Sequence, residues 1–194
     1  MNKRVFLATL GAASLLPAAR STAANAGTRE SGLLTVTGAI GKSNRGPLDP
    51  ALDQMMSKHG VQFSKAYEFD APSLQRLAAV TIKPTLEYDA RQHALSGPLL
   101  TTVLEAAGMA RGATVQLTLR AVDGYNVTLS LADVTTYRMI VATRIDGRPL
   151  ALGGLGPQWA VYEADAVAAF KDKPLKERFA LCPWGLYHID VKTA

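Results

Sequence analysis

The sequence is poor in the residues that most often do chemistry. It holds 1 cysteine and 3 histidines in 194 residues. A single cysteine, Cys182, cannot close an internal disulfide, so the fold must hold by packing. Its flanks, Ala180-Leu181 and Pro183-Trp184, read as apolar and suit a buried thiol better than a nucleophile. His59, His93 and His188 are far apart, and no pair has metal-ligand spacing, so a zinc site has no support. There is no G-x-S-x-G elbow, which excludes the usual esterase arrangement. Gly153-Gly154-Leu155-Gly156 lacks the Lys-Ser/Thr of a phosphate loop and the strand-glycine-helix order of a dinucleotide fold. It reads as a loop that needs unusual dihedrals. No internal repeat and no low-complexity segment is visible. No apolar run approaches the roughly 20 residues that span a bilayer.

The N-terminus carries a different message. Lys3 and Arg4 precede an uncharged apolar run from Val5 to Leu16, Pro17 follows, and Ala24-Asn25-Ala26 is a small-x-small site. This is the layout of a secretory signal peptide over residues 1–26, with cleavage expected after Ala26, Ser21-Thr22-Ala23 as a second site, and export to a bacterial periplasm. Losing Lys3, Arg4 and Arg20 takes the formal charge from +5 to +2. No Lys/Arg cluster remains, so nucleic-acid binding is unsupported. Residues 27–194 are the length of one domain. In a periplasm the Asn126-Val127-Thr128 sequon has no glycosylation machinery to meet.

Apolar periodicity supplies the elements. Leu33–Ile40 reads as a strand, and Gly60–Phe69 as holding another. Asp70 caps a short helix that opens on Pro72. Val80–Ile82 is a strand ended by Pro84. Ser96-Gly97-Pro98 starts the clearest helix, with Leu99, Leu100, Val103, Leu104 and Ala107 on one stripe and Gly108 at its end. Val115, Leu117 and Leu119 alternate with Thr114, Gln116, Thr118 and Arg120. Asp123-Gly124 then turns into Tyr125–Leu131, a predicted hairpin. Leu131–Thr135 is a turn or one helical turn. Met139–Ile145 is a continuous apolar strand closed by Asp146-Gly147. Trp159–Tyr162 is a short strand, Ala164–Lys173 is helical, and Leu186–Val191 is the last strand. Strands outnumber helices and are not regularly interleaved with them, which argues α+β with a mixed or antiparallel sheet.

The order of motifs resembles the molybdopterin-binding domain of the sulfite oxidase superfamily, in a small, exported form. The matching stretches are Leu34-Thr-Val-Thr-Gly38, Ser96-Gly-Pro-Leu-Leu100 with Val103, Leu104 and Gly108, and Val122-Asp-Gly-Tyr125. Met139–Leu150, Gly156-Pro-Gln-Trp-Ala-Val-Tyr162 and Trp184–Val191 complete the set, over roughly residues 33–191. The resemblance implies an α+β fold of the sulfite-oxidase type, with a mixed sheet, a few short helices and loops that cradle a pterin. In the family's enzymes a cysteine in a Val-Thr-Leu-Gln-Cys motif binds molybdenum. The corresponding stretch here is Val80-Thr81-Ile82-Lys83-Pro84, and proline has no thiolate. Thr85-Leu86-Glu87-Tyr88 replaces the basic continuation, and Trp159 stands where the enzymes carry an arginine. Molybdopterin chemistry is therefore not expected, and no metal is.

The resemblance to small members without the cysteine implies a periplasmic pterin-binding protein without redox catalysis. Its partner would be the periplasmic domain of a membrane signalling protein. A molybdopterin-dependent oxidoreductase and a ligand-free protein-interaction domain are the alternatives. The candidate ligand-binding residues are Asp123, Tyr125, Arg144, Asp146, Gly156 and Trp159. Asp123 accepts from a pterin amino group and ring N–H, or merely opens a turn. Tyr125 lines a pocket or packs across the hairpin. Arg144 and Asp146 grip a ligand or form a surface ion pair. Gly156 lets backbone approach a ligand. Trp159 stacks on a heterocycle or fills the core. Tyr162 and Trp184 are expected in the core.

Overall fold

The structure is a computed structural model that describes residues 30–193. The expected signal peptide, residues 1–26, lies outside the described residues. Eleven short strands, four short helices and one 3₁₀ turn follow in chain order.

The largest sheet contains β1 (Leu34–Gly38), β2 (Tyr67–Phe69), β5 (Val115–Ala121), β6 (Asn126–Ser130) and β11 (Leu186–Thr193) in the order β2-β1-β11-β5-β6. β1 and β11 run parallel and every other pair is antiparallel, so this sheet is mixed. A second sheet orders β3 (Ala79–Ile82), β4 (Leu95–Pro98), β8 (Arg144–Ile145) and β9 (Arg148–Pro149) as β3-β4-β8-β9. β7 (Ile140–Ala142) pairs with β10 (Trp159–Val161) beside them. The expected hairpin is present: Leu117 faces Leu129 and Arg120 faces Asn126 across β5 and β6.

One core joins these layers. Leu34 and Val36 of β1, Leu117 and Leu119 of β5, and Ile189 and Val191 of β11 lie in it, as alternation requires. α3 (Leu100–Ala106) contributes Leu100, Val103 and Leu104. A bulge between Leu186 and His188 breaks the alternation of β11. It leaves Leu186 and Ile189 in the main core and gives Tyr187 to a smaller cluster with Met56 and Val61. Met56 belongs to α1 (Gln54–Lys58).

Local chemistry explains the helix starts. The Asp70 side chain accepts from the Ser73 amide at 2.8 Å and opens α2 (Ala71–Gln75). Ser130 and Asp133 form a capping box at α4 (Leu131–Thr136). Three expectations are corrected. Ser96-Gly97-Pro98 is strand, and the helix begins at Leu100, because Gly97 is drawn flat against β7. A Cβ at Gly97 would lie 1.9 Å from the Val141 carbonyl oxygen. Met139–Ile145 is not one strand. It divides into β7 and β8, which pair with β10 and β4 respectively. Ala164–Lys173 is a run of turns rather than a helix. There the Asp165 side chain takes the Thr85 amide at 2.6 Å and the Arg178 guanidinium at 2.7 Å, tying the segment to two distant points.

Candidate functional site

Four separate segments converge on one cavity of about 260 Å³. Ala121 ends β5 at its floor, and the turn that follows brings Asp123 and Tyr125. The 3₁₀ turn Leu175–Glu177 and the residues after it bring Lys176, Phe179 and Ala180. The approach to β11 brings Cys182 and Trp184. The loop after β3, just beyond Pro84, brings Glu87 and Tyr88.

The walls are tied to one another. Asp123 Oδ1 accepts the Tyr125 amide at 2.9 Å, which fixes the turn. The Tyr125 hydroxyl donates to the Ala180 carbonyl at 2.5 Å and holds the opposite wall. Trp159 lies behind the floor, fully buried, and its indole N–H donates to the Cys182 carbonyl at 2.9 Å. Phe179 packs on Trp159 with ring centroids 6.0 Å apart. Tyr88 and Tyr125 remain about half exposed at the rim.

Electrostatics separate the groups that can act from those that cannot. Burial pushes the Cys182 thiol up to about 12. Hydrogen bonding with Tyr162 opposes this, and the charge of Glu87 adds to it. A thiol there is neutral at neutral pH and a poor nucleophile or metal ligand. Desolvation, followed by the charge and hydrogen bonding of Glu87, pushes the Tyr88 phenol up to about 12, so it stays a neutral donor. Glu87 and Asp123 are the two carboxylates of the cavity, and Lys176, exposed at the rim, is its one cation among the described residues.

The six residues expected from sequence do not form one site. Asp123 and Tyr125 share the cavity. Trp159 supports its floor from the core and presents no exposed face. Gly156 is buried beside the chain's own backbone: a Cβ there would lie 2.5 Å from the Leu150 carbonyl, and the Gly156–Pro157 peptide is cis. The close backbone approach that Gly156 permits is to residues 150–151. Arg144 and Asp146 sit on the β8–β9 hairpin. Arg144 donates to the Gly147 carbonyl at 3.1 Å, while Asp146 binds His93 at 2.6 Å. The two do not form an ion pair with each other: Arg144 is turned to its own turn and Asp146 to His93.

Sequence reading missed Glu87, Tyr88, Lys176 and Phe179; Trp184 packs against the core as expected, but is only partly buried and lines the cavity as well. For Glu87 and Tyr88 a signal existed. They fill the stretch that, by the resemblance, stands in place of a basic continuation. For Lys176 and Phe179 there was none, because they lie in irregular chain.

No protein-family model matches the chain, and no curated protein does. Among solved structures it is similar to the sulfane dehydrogenase SoxCD from Paracoccus pantotrophus. The TM-score is 0.52 at 11% identity, over 83% of this chain and 38% of that one. The chain thus spans less than half the length of this neighbour. At that identity the likeness concerns the fold alone: the protein is an α+β domain with a mixed sheet and a few short helices, similar in fold to part of that enzyme.

Proposed function

We propose that the protein is an exported binding protein, without redox chemistry, that holds a pterin in the cavity between the Asp123 turn and the Glu87–Tyr88 loop. Its occupancy would be read by the periplasmic domain of a membrane signalling protein. The observation that carries this reading is the cavity's composition. Tyr88, Tyr125 and Trp184 offer aromatic surface for a flat ring, and Asp123 and Glu87 offer acceptors for amino and ring N–H donors. A volume of about 260 Å³ lies just below the roughly 300–1,000 Å³ of drug-sized ligand pockets, room for no more than one bicyclic ring. A wider depression of about 470 Å³ beside Gly112–Gln116 and Ser130–Thr136 offers no charged side chain.

The residues present do not fit a thiolate-held molybdenum. Pro84 is buried at the position that the resemblance gives to the cysteine, and its carbonyl accepts the His93 amide at 3.1 Å. The one thiol of the chain, Cys182, is held neutral by burial. Binding and orientation are what this cavity can supply. The rim tyrosines, Tyr88 and Tyr125, stand on two separate loops and are about half exposed, where a partner could touch them.

Mass spectrometry and fluorescence of the small molecules released from purified protein test the proposal. A pterin is expected at about one per chain, and Asp123→Ala should weaken its binding roughly 10- to 100-fold through loss of a charge-assisted hydrogen bond. A protein that emerges empty and shows no thermal shift with pterins would sink it.

A further inference from the structure

Glu87 and Asp123 reach the same cavity from chain segments unrelated in sequence. The Asp123 carboxylate spends one oxygen on the Tyr125 amide. Among the described residues its other oxygen takes no hydrogen bond. Glu87 comes from the far wall and lies close enough to the floor for its charge to act on the Cys182 thiol and the Tyr88 hydroxyl. Against these two carboxylates, Glu87 half-buried and Asp123 exposed, stands the single ammonium of Lys176, exposed at the rim like Asp123. The other lining residues are Ala121, Ala180 and side chains that stay neutral, with no arginine among them. The cavity therefore has a net negative charge, and nothing in it matches the forked donors that hold phosphate.

We infer that Glu87 and Asp123 are specificity-determining residues that select an unphosphorylated, donor-edged heterocycle and reject the phosphate ester of the same ring. This rests on the ligand-binding reading above. A carboxylate accepts two N–H donors side by side from an amino-pyrimidine edge. The same carboxylates repel a phosphate that carries up to two negative charges.

Titration calorimetry with 6-hydroxymethylpterin and with its phosphate ester, on wild-type protein and on Glu87→Gln, Asp123→Asn and Glu87→Lys, tests this. Wild-type protein should prefer the free alcohol by roughly tenfold or more at low ionic strength, and by less at high salt. The neutral substitutions should narrow the gap, and Glu87→Lys should close or invert it. Thermal melts confirm that each variant is folded. Should Glu87→Lys not fold, Glu87→Gln and Asp123→Asn carry the comparison. Equal affinity for the two probes, or tighter binding of the phosphate, overturns the inference and leaves the binding site standing. A preference that survives all the substitutions overturns the assignment to these residues. If neither probe binds wild-type protein, the ligand-binding reading itself falls, and this inference with it.

Discussion

His188 is almost fully buried on the polar face of β11, opposite Arg120 of β5. The Thr37 hydroxyl lies 3.1 Å from Asp190 Oδ1, and a carboxylate can only accept, so Thr37 donates there. Thr37 must then accept from His188 Nε2–H at 3.0 Å. Nδ1 is left as a bare lone pair with no partner. A proton on Nδ1 would be a buried, unpaired N–H bearing charge near Arg120, and desolvation first, opposed by the Asp190 charge and aided by Arg120 and Arg45, lowers the His188 pKa to about 4. The sign follows. Above the ordinary value of 6.5 both folded and unfolded chains hold His188 neutral and its contribution is constant. As pH falls toward about 4 the unfolded chain takes up a proton that the fold refuses, so stability declines. The interval corresponds to roughly 3 kcal/mol. Urea unfolding at several pH values between 7.5 and 4 should show this loss, and His188→Gln should flatten the slope. A variant with the wild-type slope would refute the assignment. At this scale Asp123 was legible because Asp-Gly announces a turn. Glu87 was not, since no local rule points a loop carboxylate at a turn 36 residues away.

The loop that carries Glu87 and Tyr88 is itself a small hairpin. Thr85 bridges to Gln92, and the Leu86 amide donates to the Arg91 carbonyl at 2.8 Å. A clasp closes it: His93 Nδ1 lies 2.6 Å from Asp146 and Nε2 lies 2.9 Å from Asp89. Each ring nitrogen faces a carboxylate, so both hydrogen bonds are made only when both nitrogens carry protons. The hydrogen bonds that His93 donates to Asp146, then to Asp89, accordingly raise the His93 pKa, while the same bonds lower both aspartates, with Arg91 and Arg148 as the nearby cations. The His93 part of this stability is complete below pH 6.5 and is lost as pH rises through its raised folded value. The aspartate part is lost in acid, below the ordinary carboxylate range. Hydrogen exchange in residues 84–94 should therefore be slowest near pH 6 and faster at pH 9 after correction for intrinsic rates. His93→Gln should abolish the difference. Exchange that is equally slow at both pH values in the parent protein would remove the clasp from the account. The aspartate at position 146 was singled out from sequence for a ligand; its place at the start of a two-residue turn aims it instead at His93, 53 positions back.

Across the whole molecule, the two smaller sheets meet where β4 packs against β7, and Gly97 makes that approach possible. Gly97→Ala would drive a methyl group into the Val141 backbone, which cannot yield without parting the layers. Denaturant unfolding should show a loss of roughly 3 kcal/mol or more. Gly46→Ala, where a Cβ meets nothing within 4 Å, should leave stability nearly unchanged. A mild effect at Gly97 would mean that β4 and β7 can separate freely. What the sequence determined by itself was whatever repeats within a few residues. Alternation set β1, β5, β6 and β11; Asp70 and Ser130 set the starts of α2 and α4; Asp-Gly set the hairpin. Those rules also gave the α+β class. Only the tertiary structure decided that Ser96-Gly97-Pro98 is strand, that Asp165 holds 164–173 out of a helix, and that Trp159 lies behind the cavity instead of in it. It also decided that Glu87 joins Asp123. The physical reason is common to all four. Each depends on a contact between segments far apart in the chain, and pairing geometry, burial and charge at such contacts override the local preference of the residues that meet there.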